Sequence, residues 1–148
     1  MAETLFPVFD VPEIPAPAAA AERKCKPSVL FDFDSGDFVR DATGNMVETD
    51  GRTAYVQRCL KICMTERFAC LSYGRDTGVD MIDAMGQKSC EAVQSAVERT
   101  VTEALMVDPE TEYLRNFQFA WRDSKLYCSF ILKGKDWAEV PLQFEVTA

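Results

Sequence analysis

Three stretches late in the chain alternate apolar and polar residues with a period of two. Phe117, Phe119 and Trp121 interleave with Gln118, Ala120 and Arg122; Leu126, Cys128, Phe130 and Leu132 follow; Val140, Leu142, Phe144 and Val146 are set against Glu139, Gln143 and Glu145. Side chains on a strand point to opposite faces in turn, so each stretch can bury one face only and needs a layer to cover it. Arg122-Asp123-Ser124-Lys125 turns the chain between the first two. The covering layer lies upstream. Val93, Ala96, Val97, Val101, Ala104 and Leu105 share one side of a helix that Ser89 caps and that runs to about Val107, with Pro109 preventing its continuation. A second helix, from about Arg52 to Thr65 behind a cap at Thr49 or Asp50, carries the stripe Val56, Cys59, Leu60 and Cys63 and turns Gln57, Arg58 and Lys61 away. A turn of helix from Asp80 to Met85 ends at Gly86. The fold class is therefore α+β, with helices packed on one face of a mainly antiparallel sheet.

Ahead of these elements, Val29 to Phe33, Asp37 to Arg40 and Asn45 to Val47 read as short strands joined by turns at Asp34-Ser35-Gly36 and Ala42-Thr43-Gly44. The run Asp32 to Asp37 has the look of a calcium loop but lacks the third ligand before the glycine and the distal glutamate, so a β-turn is the better reading. Residues 1–24 differ in kind. Four of the seven prolines, Pro7, Pro12, Pro15 and Pro17, fall here and an alanine run from Ala18 to Ala21 follows, which favours an extended segment. Such a segment is either a plain solvated tail or an arm. Leu5, Phe6, Val8, Phe9, Val11 and Ile14 suit an arm that docks on a neighbour, with the Pro/Ala run as its tether. The organisation expected is thus an arm over 1–24 and one domain over 25–148.

At 148 residues the chain can bury about 68–70% of its unfolded surface, enough for a core without crosslinks. A net charge of -8 disfavours nucleic acid and anionic membranes as partners, since both reward Lys and Arg. No apolar run approaches the ~20 residues of a membrane span, and the start of the chain lacks the features of a signal peptide, so a cytoplasmic origin is expected. The six cysteines, Cys25, Cys59, Cys63, Cys70, Cys90 and Cys128, include no Cys-x-x-Cys pair, and there is no histidine to complete a mixed metal site. No cofactor or metal is expected. Cys59 and Cys63 read as small core residues, reduced in the cytosol.

The order and spacing of several pieces carry a resemblance. One helix runs out through Leu60-Lys61-Ile62-Cys63-Met64-Thr65-Glu66-Arg67 into the loop Tyr73-Gly74-Arg75-Asp76-Thr77-Gly78. A later one stops at Ala104-Leu105-Met106-Val107-Asp108-Pro109-Glu110, and the strand Asn116 to Trp121 follows closely. From about Val29 to Val146 the chain resembles the gene-25-like family of contractile phage tails, baseplate wedge proteins that initiate the sheath, and within it the branch of Gram-positive prophages. The resemblance implies a non-enzymatic virion protein of a phage tail or tailocin. Assembled in the host cytoplasm, it would stand in six copies around the baseplate, contacting the tail sheath protein, the wedge proteins and tail tube or hub proteins.

It also implies where partners bind. Asp108-Pro109-Glu110 stands where the family often carries Glu-Pro-Arg, a turn that meets the helical core of the wedge; there either a partner's basic residue or Arg115 would replace the missing arginine, and the same residues read equally as a simple helix stop. The loop holding Gly74 and Gly78 helps shape the same contact, though two glycines equally permit tight turns. In the last strand Val140, Leu142 and Phe144 face the core, while Pro141 cannot donate to a ladder and argues for a sheet edge where Gln143 is available to a guest segment. The competing class is a small lysozyme-like glycoside hydrolase using two among Glu66, Asp76, Asp80 and Asp83, and this needs one carboxyl in an apolar pocket and a second at a set separation. A third, an isolated cytosolic adaptor, follows from the family's distant likeness to a bacterial anti-adaptor.

Overall fold

The structure, a computed structural model, describes residues 26–123 and 125–146. Along the chain come four two-residue strands, β1 (Ser28–Val29), β2 (Phe31–Asp32), β3 (Asp37–Phe38) and β4 (Glu48–Thr49). Helices α1 (Gly51–Cys63), α2 (Met81–Met85) and α3 (Cys90–Met106) follow, and strands β5 (Thr111–Arg122), β6 (Lys125–Gly134) and β7 (Val140–Val146) close the order. β1 pairs with β4 and β2 with β3, while β5, β6 and β7 form an antiparallel sheet in that order. α3 packs on β5, α1 on β7, and the two helices on each other, so one face of the sheet is covered. This is the α+β arrangement that the alternating runs require.

The covered face holds the core. Leu126, Cys128, Phe130 and Leu132 of β6 are buried with Leu142, Phe144 and Val146 of β7, against Cys59 and Cys63 of α1 and Val97, Val101 and Leu105 of α3. Each of the larger side chains contributes about 1.5–3 kcal/mol by leaving water. Burial pushes the Cys128 thiol up to about 12 and the Cys63 thiol likewise upward, which makes them inert packing groups. Cys70 and Cys90 are exposed, and Cys25 lies outside the described residues.

β5 begins well before the expected start at Asn116, because a slip in register hides its first half from a period-two reading. Leu114 pairs with Leu132 and Phe119 with Cys128, both on the core side, and the pairing shifts between Arg115 and Gln118. Asn116 takes φ +57° there, a left-handed conformation that its short amide tolerates better than most side chains do. The extra residue returns Phe117 to the core side, where its ring stacks on Phe130 with centroids 5.1 Å apart. A second shift lies between Thr111 and Tyr113.

Two expectations at α1 fail. Asp50 stands at the N-cap position but its side chain makes no capping hydrogen bond, unlike Ser89, whose Oγ accepts from the Ala92 N–H at 3.2 Å. Gln57, expected to face away, is buried: its Nε2 donates to the Val29 carbonyl at 2.7 Å and its Oε1 accepts from the Phe31 N–H at 2.9 Å. An amide can be buried where backbone partners satisfy it, a condition that no helical wheel displays. The turn at 32–36 is held by Asp32, which accepts from the Asp34 N–H and the Ser35 hydroxyl, and Ser35 first among these keeps its carboxyl below the ordinary range.

Gln57 thus ties the short strands to α1. Replacing Gln57 with Ala strands a buried donor and acceptor, and we expect a loss of about 1–3 kcal/mol in urea unfolding. An unchanged midpoint would mean that the N-terminal strands are held some other way.

Candidate functional site

Where α3 ends, the chain makes a short turn closed on itself. The Asp108 N–H bonds to the Leu105 carbonyl at 3.2 Å, the Thr111 N–H to the Asp108 carbonyl at 3.0 Å, and Asp108 Oδ1 accepts from the Glu110 N–H at 3.0 Å. Pro109 sits between the two acids and has no proton to give. Arg58 reaches across from α1: its Nε donates to Asp108 Oδ2 at 2.8 Å and its Nη2 to Glu110 Oε2 at 3.1 Å. A guanidinium fork therefore bridges both carboxylates, a geometry that lysine would not reproduce. The Asp108 side chain is 9% exposed and that of Glu110 26%, so the first of the two pairs lies in the drier surroundings.

Arg58, set down from its spacing as a residue facing away, is thus the cation that meets Glu110. Arg115 is engaged elsewhere. Its Nη2 lies 2.6 and 2.7 Å from the two oxygens of Glu139, which also accepts from the Tyr113 hydroxyl at 2.6 Å. The Tyr113 hydroxyl and then the Arg115 guanidinium hold the Glu139 carboxyl below the usual carboxylate range.

Beside the turn lies an open groove of about 400 Å³. Ile62, Ala104, Val107 and Pro109 supply its apolar surface, and Arg58, Asp76, Thr77, Glu110 and Lys26 its rim. Val107 and its neighbour Met106 are both exposed, at 53% and 47%. Apolar side chains gathered beside a helix end, rimmed by charges, suit a protein contact better than a small polar ligand.

β7 forms one edge of the sheet, as Pro141 suggested. Leu142 and Phe144 face the core, Val140 is half-buried, and Gln143 is exposed. Glu145 is drawn back toward the sheet by Lys125 at 2.7 Å and Glu139 by Arg115. A shallow recess of about 430 Å³ crosses the outer face of the sheet from Asn116 and Gln118 over Ser129 to Gln143. At the opposite edge β5 carries both register shifts.

One surface escaped the sequence reading. Met64, Phe68, Leu71 and Tyr73 between α1 and α2 are exposed, as is Ile82 of α2, and Phe68 takes φ +65°. Apolar residues without a period were the only signal available there. Gly78 closes this loop at φ +99°, where a Cβ would stand 2.7 Å from the Thr65 carbonyl oxygen; Gly74 has open space around it.

The four carboxylates proposed for hydrolysis are spread over separate surroundings. Glu66 accepts from the Met81 N–H at 2.9 Å, Asp80 pairs with Arg67 at 3.1 Å, and Asp76 lines the groove. Asp80 and Asp83 do share a recess, where Gln87, Arg99, Thr100 and Glu103 stand beside Ala84 and Ala96, so polar and charged groups surround both carboxyls. Leu5, Phe6, Phe9 and Ile14 of the arm lie outside the described residues.

Residues 28–136 match the family model described as contractile injection system sheath initiator. No curated protein matches the chain.

The unequal exposure of the two acids yields a stability test. Asp108→Ala removes a mostly buried acceptor that serves both the Glu110 N–H and the Arg58 guanidinium, and should cost about 1–3 kcal/mol. Glu110→Ala removes a partly solvated pair and should cost less than about 1 kcal/mol. Equal losses on thermal or chemical unfolding would contradict this assignment.

Proposed function

The chain belongs to the contractile injection system sheath initiator family, and from that premise we propose that it starts the sheath by lending β7 as a template edge. The observation that supports this reading is the contrast between the two edges. Two register shifts break up β5, and shifts of this kind blunt an edge against further pairing. β7 pairs with β6 without a shift from Val140 to Val146. Pro141 is tolerated where its nitrogen faces away from β6, and in an antiparallel ladder the same side recurs every second residue. The backbone groups of Gln143 and Glu145 then point outward, ready for an extended segment of the sheath protein to pair with them.

The groove beside Asp108-Pro109-Glu110 is, on this reading, the seat of a baseplate wedge protein. Burial of its apolar surface supplies affinity, and the Arg58 fork holds the rim in shape. Six copies around the baseplate, made in the host cytoplasm and contacting tube or hub proteins as well, complete the arrangement. In it the arm docks on a neighbour through Leu5, Phe6, Phe9 and Ile14. Catalysis has no part in this mechanism.

Gln143→Pro tests the edge while sparing the apolar face of β7. We expect a folded protein, slightly destabilised, that no longer initiates sheath assembly when co-expressed with the sheath protein and baseplate. Sheaths of normal length and yield would refute the template role. Glu110→Arg sets two guanidinium groups against each other and should weaken co-purification with the wedge more than it lowers the melting temperature; undiminished wedge capture would leave the turn as an ordinary helix stop.

A further inference from the structure

Resting on the template reading of β7, we propose that Arg115 and Tyr113 are positioning residues for strand addition: they draw the Glu139 carboxylate across the sheet and so keep the Pro141 end of the edge clear for the guest. Register puts both on the outer face, Tyr113 opposite Lys133 and Arg115 opposite Ile131, and Ile131 is in turn opposite Pro141. Glu139 stands one residue before β7, at the other edge. Two strand spacings, about 10 Å, separate β5 from β7, so these side chains meet only by reaching over β6. They do meet. The Tyr113 hydroxyl donates to Glu139 Oε1 at 2.6 Å, and Arg115 Nη2 donates to the two carboxylate oxygens at 2.6 and 2.7 Å. The Arg115 guanidinium also lies over the Tyr113 ring, 5.6 Å from its centroid, which fixes the approach of the two donors.

Stability is not what this cluster supplies. The Arg115 and Glu139 side chains are 51% and 36% exposed, and water competes for both partners of such a pair. Three groups converging from two edges of the sheet supply direction instead. A guest paired with Gln143 and Glu145 and running on past Pro141 passes Glu139. An unpaired carboxylate there would stand in its path or lose its water beneath it, and charges at an edge are a general device against strand addition. A carboxylate held by Arg115 and Tyr113 keeps its partners when the guest covers it. Lys133, the other cation acting on Glu139, is engaged elsewhere, since its Nζ donates to the Trp137 and Gly134 carbonyls at 2.6 and 3.0 Å. The same pattern recurs at the far end of β7, where Lys125 draws in Glu145 at 2.7 Å.

Counting sheathed tails by electron microscopy, in the same co-expression that tests Gln143→Pro, separates positioning from stability. Tyr113→Phe/Arg115→Gln releases Glu139 and should lower the yield of sheaths about threefold, within the range that a charge beside a cross-strand neighbour is worth. Glu139→Gln breaks the same ion pair but removes the charge as well, and should leave the yield undiminished. The triple variant should restore it. Arg99→Gln deletes one positive charge from a side chain 74% exposed on α3, so it controls for net charge and should change nothing. Equal losses on releasing and on removing the Glu139 charge would mean a merely structural contact and overturn the proposal. A normal yield from Tyr113→Phe/Arg115→Gln, an impaired triple variant or a matching loss with Arg99→Gln would overturn it too. Gln143→Pro keeps the two readings apart. If it abolishes sheaths while release of Glu139 does not reduce them, only the positioning role fails; if it leaves sheaths normal, the template reading fails and the positioning role with it.

Discussion

A three-stranded sheet covered by helices on one face must still dispose of two edges. The rest of the architecture answers to that constraint. β6 lies in the middle, buried along its whole core face and paired on both sides, and it is the one strand with no backbone row left over. On the β5 side the difficulty is met within the strand, where the shifts at Thr111/Tyr113 and Arg115/Gln118 interrupt any regular row. On the β7 side it is met hardly at all. Pro141 removes one donor, while the acids that would guard the strand, Glu139 and Glu145, are pulled onto the sheet by Arg115 and Lys125. An edge kept this regular is a hazard in an isolated protein and an asset in one that nucleates a polymer.

The groove is joined to the sheet by a compact set of contacts. Tyr55, buried in α1, shares a hydrogen bond of 2.9 Å with Thr111 at the start of β5, and burial raises its phenol far above the usual range. One turn further along α1, Arg58 clamps the acids that precede Thr111. Gly134, opposite Thr111 in the ladder, has no room for a side chain, since a Cβ would lie 2.7 Å from Trp137 and 3.1 Å from the Tyr55 ring. The end of α3, the start of β5 and the end of β6 are therefore tied to one another through Tyr55 and Arg58 of α1. A partner bound at the turn would press on the base of the same sheet whose far strand is β7.

Much of this was legible in the sequence wherever one period governs one face. The alternation from Val140 to Val146 gave the bounds of β7, Ser89 and Pro109 bracketed α3, and Pro141 indicated an edge. Legibility failed where a long-range partner decides the outcome. Gln57 and Arg58 are polar positions on a helix, and their roles depend on residues 28–31 and 108–110 that only the folded chain brings near. Arg115 looked available to Glu110 because it is close in sequence, yet strand geometry sends it across the sheet to Glu139. The first half of β5 was hidden because Asn116 resets the phase, and a left-handed asparagine leaves no mark on a hydrophobicity pattern.

The exposed surfaces have a common character that bears on what such a chain can do alone. A regular strand edge, an apolar groove at a helix end and the loop carrying Phe68 and Leu71 would each favour association in a neutral protein. The charge of -8 opposes this between copies, because every copy carries the same excess, but it does not oppose union with a neutral or basic partner. Charge and exposed apolar surface act in opposite directions in self-association and in concert only when the partner is basic. That asymmetry arises here from a surplus of acids over bases rather than from any single contact.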